Sequence, residues 1–195
     1  MKHHKSVKPA SLIKASAILA LGVGLNACSS GSNTSSGTST TQGQQTQAIS
    51  VTFQAATFQG QSGQPQFSPS DLNIKKGAKV TLAIVSTDTG NAPLPTGLTQ
   101  YDNVQGGTET VDGTSVTNVP NDNVAHTFSV PALGLNAVIP VVPSGKTSTT
   151  VVFTFTANKA GTYTWKCLAP CGSGSDGMSG PMATMGWMEG NFVVS

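Results

Sequence analysis

Val124-Ala125-His126-Thr127-Phe128-Ser129-Val130 and Gly161-Thr162-Tyr163-Thr164-Trp165-Lys166-Cys167 are the two stretches that decide how this chain folds. In each, bulky residues recur at every second position, the period of a pleated strand with one buried face. Val124, His126, Phe128 and Val130 share one side of the first stretch. Tyr163, Trp165 and Cys167 share one side of the second, while Thr162, Thr164 and Lys166 lie on the other. A histidine and a cysteine are therefore expected on core faces. A core imidazole must find partners for both ring nitrogens or bind something.

Alternation continues outward through most of residues 49–165. Strands are predicted over 48–57, with Ile49, Val51 and Phe53 on one face, and over 72–74, 80–85, 137–142, 149–156 and 191–194. Lys76-Gly77 reads as a turn. Residues 86–123 have little periodicity and are long for a structureless loop. Within them Asp112-Gly113 is a strong hairpin signal, which predicts a small inserted hairpin on one edge. Beyond residue 48 no stretch of ten or more residues has capped helical periodicity. Seven or eight strands predict an all-β fold, a Greek-key β-sandwich over 48–195 with 86–123 as an insertion.

The first 47 residues read differently. Lys2, Lys5, Lys8 and Lys14 precede an apolar run, Ala15 to Leu25, and then Leu25-Asn26-Ala27-Cys28. A basic region, a short apolar region and small residues before a cut describe a secretory signal over 1–27. Cys28, placed directly after it, resembles the lipidated cysteine of bacterial lipoproteins. Residues 29–47 are almost wholly Ser, Thr, Gly, Gln and Asn, too polar to offset their ordering entropy. Together 28–47 are expected to be a lipidated, disordered tether. Localisation on the extracytoplasmic face of the cell membrane follows as an expectation.

Of the ten lysines, six lie beyond residue 28, against eight acidic residues, and the chain has no arginine. That balance leaves no electrostatic footprint for nucleic acid. Charged residues make up 9% of the chain, against an ordinary ~25%. The folded part must be held by apolar burial and backbone pairing.

His126 is the only histidine after residue 28. Cys167 ends an inward row four residues before Cys171, and Met178, Met182, Met185 and Met188 follow within eleven residues. Two sulfurs this close in sequence, with a core imidazole from another strand, suit copper better than magnesium or calcium.

At these residues the chain resembles the cupredoxins, and within them the dinuclear-copper domain of cytochrome c oxidase subunit II. Val124, His126, Phe128, Val130, Pro131, Leu133 and Gly134 stand at that family's positions around its first ligand histidine. Gly161, Tyr163, Cys167, Cys171, Gly172 and Met178 match its second motif. The resemblance spans about residues 48–195 and implies a cupredoxin-like sandwich. It also implies Cys167 and Cys171 as bridging thiolates, His126 as a terminal imidazole, Met178 as a weak thioether ligand and Ala169 as a backbone-oxygen ligand. The family's second ligand histidine is replaced by Ser175.

Three readings stay open. One is an electron-transfer copper protein with a modified site, serving a membrane-bound or extracytoplasmic redox partner. The second is a Cu(I) acquisition or delivery protein. The third is a metal-free cupredoxin-fold protein with a Cys167–Cys171 disulfide, which an oxidising compartment permits. Enzymatic function is not expected. A catalytic zinc normally takes three protein ligands with an open position, and no G-x-S-x-G nucleophile motif occurs. Nothing in the sequence sets the oligomeric state.

Overall fold

The computed structural model describes residues 44–195. The signal at 1–27, the lipidated Cys28 and nearly all of the tether lie outside the described residues. Eleven strands follow in order: β1 (Thr46–Phe58), β2 (Gln61–Ser68), β3 (Leu72–Ile74), β4 (Lys79–Ser86), β5 (Gly107–Val111), β6 (Thr114–Val116), β7 (Val124–Val130), β8 (Leu135–Pro140), β9 (Thr149–Thr156), β10 (Gly161–Lys166) and β11 (Glu189–Val194). The only helical pieces among them are single 3₁₀ turns of three or four residues.

The strands form a six-stranded sheet, β2-β1-β4-β9-β5-β6, and a five-stranded sheet, β3-β11-β10-β7-β8. Neighbours are antiparallel except β1 with β4 and β3 with β11. Both sheets turn alternate residues into one core. Phe67, Leu82, Ile84 and Phe153 come from the first sheet, and Phe128, Ile139, Trp165 and Phe192 from the second. Each such side chain contributes ~1.5–3 kcal/mol on burial. Trp165 stacks on Phe128 with centroids 4.7 Å apart and meets the edge of Phe67 at 5.5 Å. The expected β-sandwich is what forms.

Beyond the eight strands and the inserted hairpin expected from the sequence, the structure adds one early strand, β2. β2 has the sequence QSGQPQFS, where Gly63 and Pro65 interrupt any alternation. Proline cannot donate to a ladder, so such a segment belongs at a sheet edge, which is where β2 lies. The hairpin signal is accurate: β5 and β6 join at Asp112-Gly113, both with positive φ (49° and 83°). β8 begins two residues earlier than expected, directly after the turn at Gly134.

β7 is buried at all seven positions. The face opposite His126 is enclosed as well, Thr127 and Ser129 having no solvent exposure. The 86–123 segment covers them. Asn136 on β8 donates both amide hydrogens to the Tyr101 and Asn103 carbonyls at 2.8 Å, and its Oδ1 accepts from Ser129 Oγ at 2.6 Å. Thr127 Oγ1 is 2.8 Å from Ser129 Oγ and accepts the Leu168 N–H at 2.9 Å. The insertion is thus tied through a satisfied buried polar file to the loop that starts after Cys167.

Candidate metal centre

β7 carries His126 into the sandwich with no solvent exposure. Its ring is clamped by two aromatic neighbours, stacked on Phe53 at 4.0 Å and set against the edge of Phe67 at 5.9 Å. Both nitrogens are engaged. Nε2 lies 2.9 Å from Asp88 Oδ2, and Nδ1 lies 3.2 Å from Cys171 Sγ.

Cys167 follows directly on β10 and is 1% exposed. Its sulfur receives the Thr127 N–H at 3.4 Å, across the junction with β7. The chain then reverses over Leu168-Ala169-Pro170. The Ala169 carbonyl accepts the Cys171 N–H at 2.9 Å and lies 3.6 Å from Cys167 Sγ. The two cysteine sulfurs are 3.7 Å apart and both cysteines are free. That spacing is far beyond a ~2.05 Å S–S bond, so the disulfide of the third reading is not formed. The ligand atoms of His126, Cys167 and Cys171 all lie within 4.8 Å of one another, a group able to hold a metal ion.

A fourth soft donor comes from the loop beyond. Met182 Sδ is 3.3 Å from Cys171 Sγ, and Met182 is 5% exposed. The loop closes through Gly172 N–H to the Gly177 carbonyl at 2.7 Å and a reciprocal pair between Ser173 and Ser179. Gly172 sits where any β-carbon would overlap Met182 Cγ and approach the Ser179 carbonyl at 2.5 Å. A side chain there would displace the methionine.

The electrostatics are those of one shared negative charge. Burial pushes the Cys167 thiol up, but hydrogen bonds from Cys171, His126 and the Thr127 N–H outweigh it and hold the thiol well below its ordinary range. The hydrogen bond with Cys167, then burial and the Cys167 charge, drive Cys171 well above its own. Burial alone would lower His126, yet Asp88 and the Cys167 charge raise it. Asp88 is lowered: the His126 hydrogen bond and the Gly90 N–H overcome its desolvation. Ionisation is thus favoured at Cys167 over Cys171.

The sequence-predicted His126, Cys167, Cys171 and Ala169 are brought together. Met178 is half-buried against the core, with its N–H on Asp176 Oδ1, and the thioether contact to the cysteines is made by Met182. Ser175, which the sequence resemblance set in place of a second ligand histidine, is exposed. Asp88 was not foreseen, since it lies in a segment without periodicity. Met182 was visible only as one of a cluster. A cavity of about 180 Å³ opens onto the group, lined among others by Asp88, Cys171, Phe53 and Pro65. One imidazole nitrogen, two cysteine sulfurs and one thioether make a soft set that fits copper.

No protein-family model matches the chain, and no curated protein does. The solved structures similar to it include rusticyanin from Thiobacillus ferrooxidans, 19% identical over 76% of this chain and 77% of that one, with a TM-score of 0.34. Reduced rusticyanin aligns at 19% identity over 76% and 79%, with a TM-score of 0.35. One of these structures is described as that of a copper protein.

Proposed function

We propose that this is an exported, membrane-anchored copper protein that transfers single electrons, with His126 Nδ1, Cys167, Cys171 and Met182 as the ligand set. The observation that carries the reading is the convergence of those donors, from β7, the end of β10 and the following loop, at one edge of a rigid β-sandwich. The cupredoxin-like motifs around His126 and Cys167 support it. When bound, copper supplies one-electron redox chemistry; the protein's residues fix its ligands and exclude water. Ring clamping by Phe53 and Phe67 and the tight 167–171 turn keep the ligands still, which limits reorganisation between the two oxidation states. The Ala169 carbonyl, already bonded to the Cys171 N–H, stands as a weak further donor.

Anaerobic titration of the reduced protein with Cu(I), followed by mild oxidation, tests this. Stoichiometric uptake and an intense thiolate-to-copper absorption are expected, the absorption weakening in His126→Ala. Uptake with no stable coloured oxidised form would move the assignment to Cu(I) delivery. That second reading draws support from Met185, which is 48% exposed only three residues after Met182. Failure to bind copper at all overturns both.

The anchor belongs to the same proposal. Among the described residues no helix is long and apolar enough to cross a membrane, and lipid on Cys28 would hold the domain near a redox partner on the same surface. Such a tether raises the partner's effective concentration and offsets the weak steering of a sparsely charged protein. Cys28→Ala is expected to abolish detergent partitioning of the processed chain. A processed N-terminus other than Cys28 rules out the anchor and leaves the site untouched.

A further inference from the structure

Every polar contact of the His126 ring is accounted for by Asp88 and the cysteines, and Asp88 is itself held in place. Its Oδ1 accepts the Gly90 N–H at 2.8 Å, its own N–H donates to the buried Ser86 Oγ at 3.3 Å, and its carbonyl accepts the Val142 N–H at 2.8 Å. Oδ2 is left to meet His126 Nε2 at 2.9 Å. Among the described residues no lysine lies within ion-pairing distance of Asp88; the one lysine–carboxylate pair is Lys146 with Asp112. The charge beside the imidazole is thus not neutralised by another side chain.

Two consequences follow from this placement. An acceptor fixed at Nε2 selects the tautomer with its proton there and leaves the Nδ1 lone pair facing the sulfurs, the form a metal needs. A carboxylate hydrogen-bonded to the far nitrogen also makes the imidazole a stronger donor, and its negative charge favours the more positive oxidation state of an ion held at the near one.

We propose that Asp88 is the positioning residue of this centre: it orients His126 for the metal, and its carboxylate lowers the reduction potential of the bound copper. The proposal rests on the copper reading above. A carboxylate that merely braced its own turn through the Gly90 N–H would have no effect on the imidazole. Asp88 also lines the cavity beside Cys171 and keeps 31% of its side chain exposed, so its substitution changes the solvent side of the site rather than the core.

Two variants separate charge from orientation. Asp88→Asn keeps an oxygen acceptor for Nε2–H without the charge, and Asp88→Ala removes both. Long-range ¹H–¹⁵N spectra of the reduced, metal-free protein, recorded at a pH high enough for the ring to be neutral and with His126 assigned by its loss in His126→Gln, read the tautomer directly. The wild type and Asp88→Asn are expected to hold a single Nε2–H form, and Asp88→Ala a mixture with Nδ1–H. In the copper-loaded protein the potential is expected to rise in both variants. Copper affinity should fall ~10–100-fold in Asp88→Ala, the usual cost of losing such a partner. An unchanged tautomer in Asp88→Ala together with unchanged potentials in both variants overturns the proposal. If Asp88→Ala does not fold, the potential of the near-isosteric Asp88→Asn decides alone. A wild type that takes no copper defeats the functional reading instead, while the tautomer of the metal-free protein still decides whether Asp88 orients His126.

Discussion

Replacing Cys167 by serine is expected to lower copper affinity by more than about a hundredfold, beyond the 10–100-fold range that loss of an outer partner costs, and to remove the thiolate-to-copper absorption. Cys167 is the sulfur that the surroundings prepare as a thiolate: buried, bonded by the Thr127 N–H, and next to a raised His126. A serine hydroxyl is shorter, harder and un-ionised at neutral pH, so it offers the metal a poor donor in the same place. Cys171→Ser should cost less, because the Cys171 thiol is held well above its ordinary range and must give up its proton on binding. Met182→Leu should leave affinity within about tenfold and shift the potential, as loss of a weak thioether ligand does. Equal, severe losses at Cys167 and Cys171 would indicate thiolates that bridge two ions, the arrangement that the subunit II resemblance implies. Tight, coloured copper binding in Cys167→Ser would refute a centre built on Cys167.

That graded pattern is one that sequence could frame only in part. His126 and Cys167 were legible because each lies on a strand with one buried face, where period two fixes direction. Cys171 followed from a turn too short to lead elsewhere. Met182 was not legible, because loops have no period: its place depends on the closure of Gly172 on Gly177 and on the absence of a side chain at Gly172. Asp88 leaves β4 into a segment whose path is set by contacts such as Val142 N–H to the Asp88 carbonyl, made only after the sheets assemble. β2 escaped notice because an edge strand can carry Gln, Gly and Pro where a central one cannot. The burial of the second face of β7 was not legible for a related reason. Alternation distinguishes two faces, but Thr127 and Ser129 are buried under an insertion and satisfied there by hydroxyl and amide partners.

Glu109 provides the second large effect, and it acts on stability rather than on the site. β8 is an edge strand, and its outward groups are each dealt with separately. Asn136 N–H donates to the Gln105 carbonyl at 3.0 Å, Val138 N–H donates to Glu109 Oε2 at 2.9 Å, and position 140 is a proline with no donor. Glu109 reaches across from β5 in the other sheet to do this and is 2% exposed. Its Oε1 is buried without a hydrogen-bond partner. Burial pushes the carboxyl up to about 8, and the single Val138 N–H does not restore it. A folded-state value above the unfolded one means that the native protein holds the proton more tightly. The protonated acid's contribution is thus complete below about 4.5, declines as pH rises, and is gone above about 8. At 1.36 kcal/mol per pH unit, the loss is about 3 kcal/mol by pH 7 and about 5 kcal/mol by pH 9. Glu109→Gln keeps an acceptor for Val138 N–H and cannot ionise. Relative to the wild type it is expected to be equal or slightly weaker at pH 4.5 and several kcal/mol more stable at pH 9. Asp88, His126 and the cysteine pair also titrate, but they are common to both proteins and cancel in the difference. Urea unfolding of the reduced, metal-free pair at intervals from pH 4.5 to 9 measures it. Parallel curves would mean that Glu109 is ionised throughout, which a carboxylate with one N–H partner in an apolar core has no means to sustain.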